Sequence, residues 1–333
     1  KHASEFIAKY FRERSELAEK LSARISQDKN LQEMCANPLN TALLCLLCEE
    51  FCGTLPENRT KLYLNMIECV LRRYRKKTEL PDTKEDLTNF YKEQLKTLGL
   101  TALNGLIEDK LDFEADELGN HTSEIAAFGF LSVHPGGSKL RPSVHYAFLH
   151  KSFQEFFAAF YICCEIRDKR IKPEALASDD RYFMNLKQVL LFSCGILAEH
   201  STEQAAALVT NIGNQVEKVR NIGFYPVKVV LEAINECKRE KGDFHLQLAK
   251  RFGSNNPLSF ICPGVDVLGH ELTIILSEAI RFSKTVTSLH LVRNGISESG
   301  ATCIAEAIEA IDTLSRLNLS GNGISDIGAT DRK

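Results

Sequence analysis

Two stretches near the C-terminus are copies of one another: Leu289-His290-Leu291-Val292-Arg293-Asn294-Gly295-Ile296 and Leu317-Asn318-Leu319-Ser320-Gly321-Asn322-Gly323-Ile324. They lie 28 positions apart (317 against 289). A further step of 28 towards the N-terminus sets Asp266, Leu268, Leu272, Leu276, Ala279 and Ile280 over Asn294, Ile296, Gly300, Ile304, Ala307 and Ile308. That earlier copy is degenerate in its first half and in register in its second. A repeat of this size is one strand-and-helix unit that cannot bury its own apolar side, so neighbours must stack and the chain must grow as a solenoid.

The pattern L-x-L-x-x-N-x-I followed by an alanine-rich segment is that of a leucine-rich repeat. Leu289 and Leu291 are expected to point inward from a short strand. Each asparagine is expected to bond loop backbone where the chain turns away, and Gly300–Ala310 to form the outer helix. Ser288, His290 and Val292, then Arg316, Asn318 and Ser320, would line a concave face, a surface that commonly binds proteins. The array stops at Thr330-Asp331-Arg332-Lys333 without a polar capping repeat, and the chain starts at Lys1 without a methionine; both are expected of a piece of something longer.

Upstream, the apolar period is helical. Residues 4–26 read as one amphipathic helix with Phe6, Ile7, Tyr10, Phe11, Leu17, Leu21 and Ile25 on one face. A short helix is expected over 31–36. Asn37-Pro38 restarts the chain into a helix over 39–51, apolar nearly all round and closed by Gly53, since proline fits the first turn of a helix. A long helix over 58–77 carries Arg72, Arg73, Arg75, Lys76 and Lys77 at its end, where cations suit the helix dipole. Another helix covers 87–106, and a short one is expected in 108–117.

The period then changes. Residues 129–133 and 144–148 are strand-like, with Pro135-Gly136-Gly137-Ser138 as the turn between them. Helices followed by one hairpin are the pattern of a winged-helix domain. Helical segments return over 153–166, 185–198, 202–215, 227–238 and 243–252, a bundle. The expected fold is therefore mostly α: a helical domain and winged helix, a helical bundle, and a short α/β leucine-rich-repeat solenoid of ribonuclease-inhibitor type. The boundaries expected are 1–54, 55–150, 151–253 and 254–333.

Several function classes fall away. A net charge of −3 over 333 residues gives no electrostatic footprint for nucleic acid. The candidate recognition helix over 87–106 offers only Lys92 and Lys96 against Glu93. The apolar runs at 42–48 and 189–192 are far short of the roughly 20 residues needed to span a bilayer. Eleven cysteines are too thinly spread for a disulfide scaffold. Cys35, Cys45, Cys48, Cys52, Cys69 and Cys194 lie in apolar helical stretches and read as reduced core thiols of a cytoplasmic protein. Cys45, Cys48 and Cys52 share a helix face but lack a fourth metal ligand, and His145 with His150 makes no zinc spacing. His150 and Ser152 stand too close along the chain for a nucleophile–base pair, so no catalytic or metal residue is assigned.

The most specific string is Phe148-Leu149-His150-Lys151-Ser152-Phe153-Gln154-Glu155-Phe156-Phe157-Ala158-Ala159. With Asn37-Pro38-Leu39, with Leu95, Leu98, Gly99, Ala102, Gly105 and Leu106, and with Asp112-Phe113-Glu114, it resembles the NACHT family, the NOD-like receptors of innate immunity. The resemblance covers nearly the whole chain and begins after that family's nucleotide-binding core. It implies that Pro38 packs on the adenine and His150 reaches the β-phosphate of bound ADP from the winged helix, an imidazole donating to phosphate oxygen. Losing that contact on exchange to ATP would free the winged helix, a two-state element biased by a ligand.

The phosphate-cradling G-x-x-x-x-G-K-[S/T] and the acidic Mg²⁺ strand end are not in this sequence. Hydrolysis of ATP is therefore not expected, and ADP or ATP is expected to bind the full-length receptor rather than this chain tightly. The reading reached is the regulatory and sensing half of a cytosolic NOD-like receptor, with protein partners on the repeats and self-association in the whole receptor. The alternative is a stand-alone leucine-rich-repeat interaction module without a nucleotide switch. On residue physics alone, a histidine ahead of a helix is a cap or a core residue, and Phe153, Phe156, Phe157 and Phe160 are core.

Overall fold

A computed structural model describes residues 2–56, 58–138, 141–215, 226–256, 258, 260–261 and 268–324. The chain divides into two compact units, Lys1–Cys164 and Glu165–Lys333, and both are predominantly helical.

In the first unit, the expected single helix over 4–26 is two: α1 (His2–Tyr10) and α2 (Ser15–Gln27). The break serves packing. Phe11 is buried in the turn, and both helices then lie on α4 (Pro38–Glu50). Glu49 of α4 fastens the corner by pairing with Arg14 and accepting from the Tyr10 hydroxyl at 2.8 Å. α3 (Lys29–Met34) leads into Asn37, whose side chain accepts from the Leu39 and Asn40 amides, with Pro38 at the first helical position. α4 is buried nearly all round, as its composition requires, and the chain leaves it through Gly53 at φ +94°. Cys35, Cys45 and Cys48 are buried thiols, and burial pushes Cys45 up to about 12. Cys52 departs from expectation. It is exposed and lies past the helix end at φ +52°, so it does not share the face of Cys45 and Cys48.

Asn58 caps α5 (Arg59–Lys77) through the Lys61 amide. Its basic end is partly committed to structure: Arg72 pairs with Glu68 at 2.6 Å, and the buried Arg75 bonds the Tyr91 hydroxyl and the Pro81 carbonyl. The helix expected over 87–106 bends at Tyr91 into α6 (Leu87–Phe90) and α7 (Lys92–Glu108). The short helix expected in 108–117 is instead strand β1 (Asp112–Glu114) followed by a 3₁₀ helix, Ala115–His121, and α8 (Thr122–Phe128). β1 forms because Phe113 fills the core between two outward acids.

The hairpin is longer than the hydrophobic pattern implied. β2 (Leu131–Ser138) and β3 (Arg141–Phe148) pair from Leu131↔Phe148 to Ser138↔Arg141, so Pro135-Gly136-Gly137-Ser138 is ladder and not turn. The sheet order β1-β3-β2 leaves β2 at an edge, where a proline removes no needed donor. Gly136 leaves room for the His145 ring, which a Cβ there would strike. α9 (Lys151–Arg167) follows, and the first unit ends within it at Cys164.

The second unit holds α10 (Pro173–Ala177), a 3₁₀ turn at Asp180–Phe183, α11 (Lys187–His200), α12 (Thr202–Gln215), α13 (Pro226–Glu236) and α14 (Phe244–Asn255). α11 is buried without interruption from Val189 to Ala198, which is why its sequence shows no amphipathic face. Then come the repeats: β4 (Phe260–Ile261), α15 (Gly269–Arg281), β5 (Ser288–His290), α16 (Glu298–Glu309) and β6 (Arg316–Asn318). The strands are parallel in the order β4-β5-β6, and Phe260 pairs Ser288, which pairs Arg316. The ladder register is therefore the sequence repeat itself, and it includes the degenerate copy. Leu289, Leu291 and Ile296 are buried. Arg316 and Ser320 are exposed, and His290, Val292 and Asn318 are half-buried; Ser288, expected to face outward, is buried between its two ladder neighbours. The chain end at 330–333 lies outside the described residues.

Candidate functional site

Three elements of the first unit build the surroundings of His150. β3 delivers the chain stiffly to Phe148, and the Leu149 amide adds one more bond to the Phe130 carbonyl at 3.1 Å. α9 starts at once because His150 caps it. Its carbonyl accepts from Phe153 at 3.0 Å, and its ring Nδ1 accepts the Ser152 amide at 3.2 Å. No glycine or proline is needed at the junction because the imidazole itself satisfies a first-turn donor.

The cap uses only one ring nitrogen. Nδ1 also lies 2.6 Å from the Ser152 hydroxyl, which accepts from the Tyr63 hydroxyl of α5 at 2.7 Å. The ring is half-buried, and Nε2 has no hydrogen-bond partner among the described residues. Burial lowers the pKa of the imidazole from its ordinary value, which favours the neutral ring.

What lies beneath the junction is core. Phe153, Phe156 and Phe157 are fully buried and Phe160 nearly so. The Tyr63 ring stacks on Phe156 at 5.6 Å and meets Phe153 edge-on at 5.4 Å, which holds α5 against α9. α7 closes the other side through small residues. A Cβ on Gly99 would lie 2.7 Å from the Tyr161 Cβ and strike the Phe157 carbonyl, and one on Gly105 would meet Phe113 and the Gln154 amide. These close approaches explain Gly99 and Gly105 physically. Gln154, buried in α9, donates to the Ala102 carbonyl at 3.4 Å and the Lys110 carbonyl at 3.3 Å. Neither Gln154 nor Tyr63 had a signal of its own in the sequence: a buried amide and a phenol reaching 89 positions along the chain leave no local pattern.

Pro38 is exposed at the first turn of α4. It and His150 are related through α5, which packs on α4 and bonds Ser152. No described hydrogen bond joins the two. Asn40, two residues on from Pro38, is fully buried, and its side-chain amide has no hydrogen-bond partner among the described residues. On the outer face of the hairpin, His134 and His145 stand opposite each other and bond Ser132 and Ser143. No group of three or more metal-ligating side chains suited to an ion occurs among the described residues, and no described helix is long and apolar enough to cross a membrane.

Comparison with known proteins adds ancestry. The leucine-rich-repeat family model matches residues 282–305 and 312–331. The chain is 23% identical over 248 residues to "NLR family CARD domain-containing protein 4" of Rattus norvegicus, covering 66% of this chain and 23% of that protein. It is 33% identical over 132 residues to "NACHT, LRR and PYD domains-containing protein 12" of Mus musculus, covering 38% and 12%. It is 25% identical over 229 residues to "Protein NLRC5" of Ictalurus punctatus, covering 61% and 13%. Its homologues are NOD-like receptor proteins. The chain spans less than a quarter of the length of these receptors. The NOD-like receptor homology and the C-terminal leucine-rich repeats agree with the sequence reading of a receptor's C-terminal half.

Proposed function

We propose that this chain is the regulatory and sensing part of a cytoplasmic NOD-like receptor, acting through a nucleotide-dependent switch. In this reading 1–54 is the first helical domain, 55–150 the winged helix, 151–253 the second helical domain, and 254–333 the start of a ribonuclease-inhibitor-type solenoid. The observation that carries it is the half-buried His150 ring, capped into place through Nδ1 with Nε2 unbonded among the described residues. Nε2–H donates to the β-phosphate of ADP held by a nucleotide-binding core, and Pro38 packs on the base. The chain lacks the phosphate loop, so its own part is to hold the winged helix to the nucleotide and not to hydrolyse it. The exposed strand positions of the repeats receive a protein partner, and release of the winged helix permits self-association.

The test is ADP titration of the longest natural chain that contains these residues, beside His150→Ala. A hydrogen bond to a charged acceptor is worth about 1.5–3 kcal/mol, so the variant should bind ADP about 10- to 150-fold more weakly. Equal affinity would remove the role given to His150. No ADP binding in either form would leave the chain as a leucine-rich-repeat interaction module, the reading favoured by the parallel ladder with Arg316 and Ser320 exposed.

A further inference from the structure

We propose that Tyr63 and Ser152 are positioning residues that hold His150 in a single tautomer, with the ring proton on Nε2. This deepens the phosphate-facing role given to His150, yet it stands on separate geometry. Two donors converge on Nδ1: the Ser152 backbone N–H at 3.2 Å and the Ser152 hydroxyl at 2.6 Å. A backbone N–H can only donate, so Nδ1 must be the acceptor, and in a neutral imidazole the proton then sits on Nε2. With Nδ1 fixed as an acceptor by the backbone N–H, the hydroxyl donates to the same nitrogen, and the Tyr63 O–H, donating to Ser152 Oγ at 2.7 Å, leaves the Ser152 proton free to do so. All three links run one way, from Tyr63 O–H to Ser152 Oγ, from Ser152 O–H to His150 Nδ1, and out through Nε2–H.

Tyr63 is the fixed end. Its side chain is fully buried on α5, and its ring is clamped between Phe153 and Phe156. The phenol therefore cannot swing away without opening the contact between α5 and α9. The other tautomer would aim an N–H at the Ser152 backbone N–H, lose that bond, and force the Ser152 hydroxyl to turn from donor to acceptor towards the ring. The relay thus transmits the packing of α5 against α9 to the one ring nitrogen that has no described partner. If α5 and α9 part, the Tyr63 bond is lost and the preference of the ring weakens to what the Ser152 backbone N–H alone supports.

The test needs no nucleotide. Two-bond ¹⁵N–¹H correlation spectra of histidine-labelled 333-residue chain resolve the two ring nitrogens, and His150→Gln identifies the signals of this residue. At about pH 8 the ring is neutral. Wild-type Nδ1 should resonate as an unprotonated acceptor and Nε2 as protonated. Ser152→Ala keeps the backbone donor and loses the hydroxyl, so the tautomer ratio should fall about three- to tenfold, the worth of one ordinary hydrogen bond. Tyr63→Phe keeps the buried ring and should shift the ratio in the same direction by less. Ser152→Thr retains a hydroxyl and should restore the wild-type shifts. Nδ1 protonated in the wild type would overturn the proposal. So would unchanged ring shifts in Tyr63→Phe and Ser152→Ala with native circular dichroism, and if Ser152→Ala fails to fold, Tyr63→Phe decides alone. An ADP titration that shows no role for His150 would sink the phosphate contact and leave the relay, whereas unchanged shifts would sink the relay and leave the phosphate contact to its own test.

Discussion

Replacing Asn294 by alanine should loosen the repeats far more than its size suggests. Asn294 is buried, its Oδ1 accepts the Leu268 amide of the preceding repeat at 3.3 Å, and its Nδ2 donates to the Val292 carbonyl at 3.1 Å. Alanine strands both backbone groups in a place where Leu268 is also buried. Each stranded group costs about 1–3 kcal/mol; the bond to Leu268 is long, so the two together come to about 2–4 kcal/mol. The chain has two compact units, so a single unfolding midpoint would mix them. Hydrogen exchange read by mass spectrometry on peptides covering 268–296 localises the loss, because local opening follows local stability. At about 1.4 kcal/mol per tenfold, exchange there should speed up by about 30- to 1,000-fold. Asn318→Ala on β6 is the control: among the described residues its Oδ1 accepts only within its own turn, from Ser320, whose amide lies at 3.1 Å, and the cost should stay under about 1 kcal/mol. Exchange over 268–296 within threefold of wild type in Asn294→Ala would refute the claim that the asparagines staple one repeat to the next.

Other consequences concern the first unit. Gly99→Ala should destabilise it by about 1–3 kcal/mol in urea denaturation, since the new methyl meets backbone and Tyr161, whereas Leu100→Ala, one residue on and exposed, should cost less than about 1 kcal/mol. Burial lowers the folded-state pKa of His150, so the folded state binds fewer protons than the unfolded one; stability should be intact above about pH 6.5 and fall as pH drops through the folded value, and His150→Gln should flatten that slope. Glu155 behaves oppositely. Burial raises its pKa, with Lys151 and Arg59 only partly offsetting this, so stability should decline as pH rises from the ordinary carboxylate value through the folded one, and Glu155→Gln should be more stable than wild type at neutral pH by chemical denaturation.

What the sequence made legible was whatever repeats or punctuates. The 28-residue step became the strand ladder residue for residue, because parallel neighbours in a solenoid can pair only at the repeat length. Asn37-Pro38 opened α4 and Gly53 closed it, because a cap, a fixed φ and a positive φ are local requirements. The misreadings were tertiary. The corner at Phe11 breaks an otherwise continuous helical period so that two helices reach α4, and Glu49, a distant residue, ties it. Pro135-Gly136-Gly137-Ser138 has turn composition, yet an edge position and the His145 ring make it strand. His150 was visible as a junction residue, but which nitrogen it spends on the cap depends on Ser152 and Tyr63, and no spacing encodes that.

That division of the ring decides what kind of latch the proposed switch can have. A protonated imidazole against a phosphate would bind more strongly, but Nδ1 faces donors and burial disfavours the charge, so the contact offered is a neutral N–H. One such bond to a charged acceptor is worth about 1.5–3 kcal/mol. That lies within the range of ordinary coupling energies, about 10- to 150-fold in an equilibrium, and falls short of the roughly 5.5 kcal/mol needed to carry a two-state element from one extreme to the other. In the proposed switch, a neutral His150 could therefore not hold the closed state alone. There it could tip a balance to which the α5–α9 packing also contributes through Tyr63 and Ser152.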